Sequence, residues 1–260
     1  MAEDVWKAGA DGDRMGGGAP PGAVGSLPKV FDLLNLCIND LRQNFAGYLL
    51  AGLGLLVVIL PMVILVYVGI FAAIVPGIVV GQTTGNDDLG GLVTVGGVFL
   101  GVFVMIFVMM VVMAPINGSL YRNVLASLRG EQPLGFGACF SRMFEDVGKV
   151  VLLMLIQGAL TLVGVLLCYV PGLLVAMFLN FALPAVIVHK LGPMDAIGLS
   201  VRHVKANLSW HLGFWALGLA MMMISSNVPI VGLVGIPMYA AYQLRAYRQV
   251  FGDGEMPIET

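Results

Sequence analysis

The stretch "DAIGLSVRHVKANLSWHLGF", residues 195–214, carries an Asp, an Arg, a Lys and two His between two long apolar runs. Ile197, Val201, Val204 and Leu208 recur at i, i+4, i+7 and i+11, which is one face of an α-helix. The opposite face is polar or charged. Crossing a bilayer takes about 20 apolar residues, so this segment is too short and too charged to span. It reads as an amphipathic helix lying in the membrane interface, its Lys and Arg within reach of headgroups.

Composition supports that setting. Of 260 residues, 59% are hydrophobic and only 11% are charged. Soluble domains carry about 25% charged residues, and a bilayer is what can absorb such an apolar excess. A net charge of −2 leaves no basic stripe to neutralise phosphates, so nucleic acid is not an expected partner. Cys37, Cys139 and Cys168 form no paired motif and read as small packing residues. Residues 1–27 are rich in Gly, Pro and Ala, with no apolar core of a signal peptide, and read as a disordered cytoplasmic tail. Residues 250–260 read as a second tail, leaving a single membrane domain over 28–249.

Six apolar stretches lie at about 48–75, 92–117, 149–170, 172–188, 209–226 and 229–247. Pro61 offers the first of them a kink and Pro76 a stop. "YVPG" (169–172) and "SSNVP" (225–229) are short enough to force antiparallel neighbours, which predicts three helical hairpins. All 13 Lys and Arg fall before span one, between spans two and three, between spans four and five, or at the end of span six. The other connectors carry only Asp87 and Asp88. Excess positive charge marks the cytoplasmic side, so both termini are expected there.

The segment at 195–214 has two counterparts. "DLLNLCINDLRQNFAGYLL" from Asp32 aligns with it at an offset of 163, and "GFGACFSRMFEDVGKV" (135–150) aligns with the first copy at an offset of 102. Asn44, Asp146 and Asn207 share one position. Each copy predicts an interfacial helix before a span, in repeats of about 28–124, 133–190 and 193–249. Tyr48 and Trp210 follow two of the copies, where aromatic rings favour the headgroup level. Each repeat's second span carries a proline, at Pro115, Pro184 and Pro237. With Pro61 these are expected kinks, and Pro184 frees the carbonyl four residues earlier, at Asn180.

No acidic or basic residue lies within the six stretches apart from Lys149 and Arg245 at stretch ends, which lowers the expectation of ion or proton coupling. No catalytic motif is present, and no catalytic residue, cofactor or metal is predicted. His203 and His211 fall on either side of the membrane entry point and read as interfacial polar groups, with His189 at a span end. Gln157 and Asn180 are polar within apolar runs and mark an intramembrane polar site, with glue between helices as the plainer role.

The phrase "GPMDAIGLSVRHVKANLSW", the hairpin "YVPGLLVAMFLNFALPAVIVHK" before it and "VGIPMYAAYQLRAY" after it resemble a bacterial superfamily of integral membrane proteins. That superfamily includes the membrane domain joined to some glycerophosphoryl diester phosphodiesterases, and stand-alone six-span proteins. Gly192, Pro193, Ala196, Ser200, Lys205 and Asn207 carry the match, which covers mainly residues 133–249. The resemblance implies an all-helical protein of the bacterial inner membrane, without catalytic residues in its membrane part. The expected function is to organise membrane lipid, anionic by charge, or a partner protein or second copy at the cytoplasmic face. The predicted contacts are Lys29, Arg42, Arg142, Lys149, Arg202, Lys205 and Trp210. The alternative is a permease or export accessory for a lipid-like or neutral solute, with a polar-lined cavity near Gln157 and Asn180.

Overall fold

The structure, a computed structural model, describes residues 27–252 except 85, 86, 132, 136, 138, 139, 141, 168 and 228. The expected tails, Cys139 and Cys168 therefore lie outside the described residues, apart from Leu27 and residues 250–252. The described chain is helical: α1 (Val30–Gln43), α2 (Phe45–Thr84), α3 (Asp87–Leu128), α4 (Val147–Leu167), α5 (Tyr169–Phe178), α6 (Ala182–Val188), α7 (Pro193–Ala206), α8 (Leu208–Asn227) and α9 (Pro229–Phe251).

Among the described residues, five segments are long and apolar enough to cross a membrane: Phe45–Thr84, Gly90–Leu128, Val147–Leu167, Val170–Val188 and Leu208–Ser225. The chain has the make-up of a multi-pass membrane protein. The stretch expected to be a sixth span forms α9, which is not among the five. Its surroundings explain why. α9 packs against α1, α2, α3, α6 and α8, and Ala240–Leu244, Ala246 and Tyr247 are buried. A helix wrapped by protein can carry polar groups, provided each finds a partner. Tyr239, Tyr242, Gln243 and Tyr247 all do.

Pro76 does not stop the first span. α2 runs for 40 residues through both Pro61 and Pro76, and α3 for 42 through Pro115. At about 1.5 Å per residue each is about 60 Å long, and they pack against one another. Ending a helix orphans four carbonyls, whereas a proline within it removes one donor, so continuation wins. The turns read at "YVPG" and "SSNVP" are also shorter than expected. α5 already begins at Tyr169, α8 continues to Asn227, and α9 starts at Pro229.

Two of the three predicted surface helices form, as α1 and α7. The middle copy lies partly outside the described residues, at 136, 138, 139 and 141. Its described residues before Val147 are mostly turn, and Asp146 takes a left-handed φ of 46°. The shared position survives all the same: Asn44, Asp146 and Asn207 each lie at the last residue before α2, α4 and α8.

One side of α1 and of α7 meets protein, but not the whole predicted apolar face: Ile197 and Val201 are half-buried and Leu208 is 51% exposed. α1 buries Leu33 and Cys37 and packs against α9, α2 and α8. α7 buries Ala196, Ser200, His203 and Val204 and packs against α4, α5, α6 and α8. Tyr48, expected at the headgroup level, is fully buried and donates to Asp40 Oδ2 at 2.7 Å. The same carboxylate meets Arg245 of α9 at 3.0 Å, so one acid ties α1, α2 and α9 together. Burial in this corner raises the Cys37 thiol to about 12, which makes it the inert packing residue expected.

Candidate binding cavity

The fourth span is interrupted at Leu179–Phe181, between α5 and α6. A break leaves backbone groups without helical partners, and inside a membrane protein these must be satisfied by other protein groups. Ser200 of α7 does so. Its hydroxyl donates to the Phe178 carbonyl at 2.7 Å and accepts from the Phe181 N–H at 3.1 Å. Of the four expected kink prolines, only Pro184 adjoins an interruption; Pro61, Pro115 and Pro237 lie within unbroken helices.

Asn180 sits in the break, 7% exposed, beside a cavity of about 440 Å³. Its wall includes Asn117 and Tyr121 of α3, Gln157 of α4, Trp215 and Gly218 of α8, and Tyr239 and Gln243 of α9. Leu120, Met154, Leu173, Ala176, Leu183, Leu219, Met222 and Ile236 supply much of the apolar remainder. Gln157 and Asn180, singled out in the sequence, are thus brought to one site. The three helices that carry the repeat prolines, α3, α6 and α9, also pack on one another around it.

Four uncharged side chains form a network here. The Tyr121 hydroxyl donates to Gln243 Oε1, and Gln243 Nε2 donates to Asn180 Oδ1. The Tyr239 hydroxyl donates to Asn180 Oδ1 at 3.2 Å and accepts from Gln243 Nε2 at 2.9 Å. Asn180 Nδ2 has no partner. The cavity wall carries no charged side chain. Such a site can hold an uncharged molecule through hydrogen bonds and apolar contact, and has no counter-charge for an ion.

Tyr121, Tyr239 and Gln243 were not read from the sequence. A signal existed: Tyr239 and Gln243 are four apart, on one helical face. The histidines also differ from expectation. His203 and His211 lie together, their rings 5.0 Å apart and edge to face, packed on Phe181. Burial lowers the His203 pKa. His189 ends α6, as expected, and shares a 2.7 Å hydrogen bond with the Tyr247 hydroxyl through Nδ1.

The predicted surface contacts divide. Lys29, Arg42, Arg202 and Lys205 are exposed. Arg142 and Lys149 are half-buried: the Arg142 carbonyl accepts from Arg122 at 3.0 Å, and Lys149 Nζ donates to the Lys190 carbonyl at 3.1 Å. Trp210 is half-buried, stacks on Phe214 at 5.1 Å, and spends its indole N–H on the Pro28 carbonyl at 2.7 Å.

The chain is similar to an uncharacterised protein of Mycobacterium bovis, 30% identical over 109 residues, covering 42% of this chain and 34% of the relative. Two uncharacterised proteins from Mycobacterium tuberculosis strains match over the same length, at 30% and 29% identity. The matched part thus spans about a third of the length of these relatives. No family profile matches the chain, and no solved structure matches it.

Proposed function

We propose that the protein is a six-span inner-membrane protein, with both termini cytoplasmic, that takes up a neutral, lipid-like molecule between its helices as a permease or export accessory. The observation that carries this reading is the 440 Å³ uncharged cavity beside the broken helix at Asn180. Irregular backbone at membrane depth is tolerated where it is buried in protein or lines a cavity, and discontinuous helices commonly build binding sites in transporters. The packing of α2 on α3, α4 on α5, and α8 on α9 supports three hairpins, with α9 as the sixth span. The placement of all 13 Lys and Arg supports the orientation.

Filling the cavity tests the reading. Ala176→Trp places an indole on its wall. Native mass spectrometry of the chain extracted with its own membrane lipids is expected to show one discrete molecule retained by the unaltered protein and lost from Ala176→Trp. Identical retention by both would refute uptake at this site.

A second reading, organisation of anionic lipid or a partner at the cytoplasmic face, rests on the exposed Lys29, Arg42, Arg202 and Lys205 of the α1 and α7 region. Each such charge near an anionic surface contributes about 1 kcal/mol. The double variant Arg202→Glu/Lys205→Glu is then expected to lose about 100-fold or more in co-sedimentation with phosphatidylserine vesicles. Unchanged co-sedimentation would leave these side chains as a solvated face.

A further inference from the structure

We infer that the cavity is loaded sideways from the bilayer through the seam between α5 and α8. It takes an uncharged alkyl amphiphile, polar group first, with the chain trailing out past Leu219. This rests on the binding reading above and adds to it the route of entry, the pose and the class of molecule.

Burial grades the cavity from one end to the other. Tyr121, Leu179, Asn180, Leu183 and Gln243 are buried and form its floor. Leu173, Ala176, Trp215, Met222 and Ile236 are half-buried and stand towards the α4–α5 and α8–α9 connections. Among the described residues lining the cavity, Leu219 alone is exposed, at 36%. The cavity therefore meets the outer surface at Leu219, on α8. The seam lies there too. Helices α3, α4, α5, α8 and α9 enclose the cavity in a ring, α9 returning to α3. The other neighbours in that ring pack closely, whereas α5 and α8 barely touch. Leu174 of α5 and Met223 of α8, each next to a lining residue, are 46% and 65% exposed. Neither α5 nor α8 carries an Asp, Glu, Lys or Arg, so the mouth opens on hydrocarbon.

The far end is shut. Phe181, next to Asn180, is fully buried and ringed by His203, Trp210, His211, Phe214, Tyr247 and Phe251, with ring centroids 5.0–6.3 Å away. Rings packed this closely leave no passage beyond the floor. The network of Tyr121, Asn180, Tyr239 and Gln243 lies at this closed end, and Asn117 stands one helical turn from Tyr121. Asn117 and Gln157 are half-buried, and each can donate to and accept from an uncharged polar group. At the mouth Leu173, Leu219, Met222 and Ile236 are apolar. An amphiphile fits that order one way round, with its polar group inward. Length sets the rest of the pose. Trp215 to Met222 along α8, like Ile236 to Gln243 along α9, covers about 10 Å. A membrane alkyl chain reaches about 15 Å, half the hydrocarbon core, so its far end stays outside the mouth. Selection then acts on the polar group and not on chain length.

The test is photolabelling of the full chain in phosphatidylcholine nanodiscs with two hexadecanol probes. One carries a diazirine beside the hydroxyl end, the other at the far end of the chain, and labelled residues are mapped by peptide mass spectrometry. The hydroxyl-end probe is expected to mark the floor, at Leu183 and Tyr239, and the chain-end probe to mark Leu174, Leu219 and Met223 but not the floor. Leu219→Trp, which narrows the mouth, is expected to lose most of the floor labelling. Leu212→Trp, at a 56% exposed position of α8 away from the cavity, is expected to keep it. Both tryptophans replace exposed residues, so neither asks the core to move. Floor labelling by the chain-end probe, or undiminished floor labelling in Leu219→Trp, would overturn the route and pose and leave the cavity reading standing. No floor labelling by either probe, in a chain whose own retained molecule is still lost from Ala176→Trp, would do the same. Floor labelling that survives Ala176→Trp unchanged would overturn the cavity reading itself.

Discussion

Replacing Gly52 by valine is expected to pry α2 away from α9 and to cost about 3 kcal/mol, the upper end of what overpacking usually exacts. At Gly52 even a single Cβ would overlap the Leu233 carbonyl oxygen and stand 2.9 Å from the Leu233 Cα. These are backbone atoms of a helix enclosed on several sides, so they cannot swing aside as a side-chain tip can. Gly69 is the control. It lies on the same helix, and a Cβ there meets nothing within 4 Å. Thermal unfolding of the detergent-solubilised variants separates the cases. Gly69→Val should melt close to the unaltered chain and Gly52→Val far below it. If both melt alike, the close approach of α2 to α9 is not what holds this face.

Asp40→Ala is expected to cost about 2–3 kcal/mol, below the range for a fully buried ion pair because both side chains keep some exposure. Asp40 and Arg245 are each 16% exposed at the side chain and 3.0 Å apart. Alanine at 40 leaves the guanidinium without its carboxylate and removes the acceptor of the Tyr48 hydroxyl. The double variant Asp40→Leu/Arg245→Met discriminates between causes. Removing both charges removes both desolvation costs, so it should recover most of the lost stability. A double variant as unstable as Asp40→Ala would mean that packing of α1, and not the ion pair, is what the substitution damages.

The sequence carried the class of fold in its apolar runs, and it carried Asn180 and Gln157 because a carboxamide in such a run is conspicuous. What it hid is instructive in each case. Gln243 stands two residues from Arg245, in a stretch that reads as the polar end of a span, so nothing set it apart. Only the enclosure of α9 by its neighbours brings Gln243 to Asn180, 63 residues away along the chain. The amphipathic pattern of α1 and α7 was legible, but an apolar helical face looks the same whether it meets acyl chains or protein. Here Leu33, Cys37, Ala196 and Val204 meet protein. The break at Leu179–Phe181 was half legible through Pro184, whereas its repair by Ser200 depends on α7 folding back over α5 and α6.

The central place of α9 sets an order on how the molecule can be assembled. α9 is synthesised after every helix it packs against. When Tyr121 has left the ribosome, Gln243 is still 122 residues away. At about 5–20 residues per second, that gap is on the order of ten seconds. Through that interval α2 and α3 can pair with each other, but the groove that receives Leu233 lies open, and Asp40, Tyr121 and Asn180 await their partners. A nascent chain in that state offers lipid and chaperones a polar-edged furrow which the finished protein does not, and the arrival of one helix closes it.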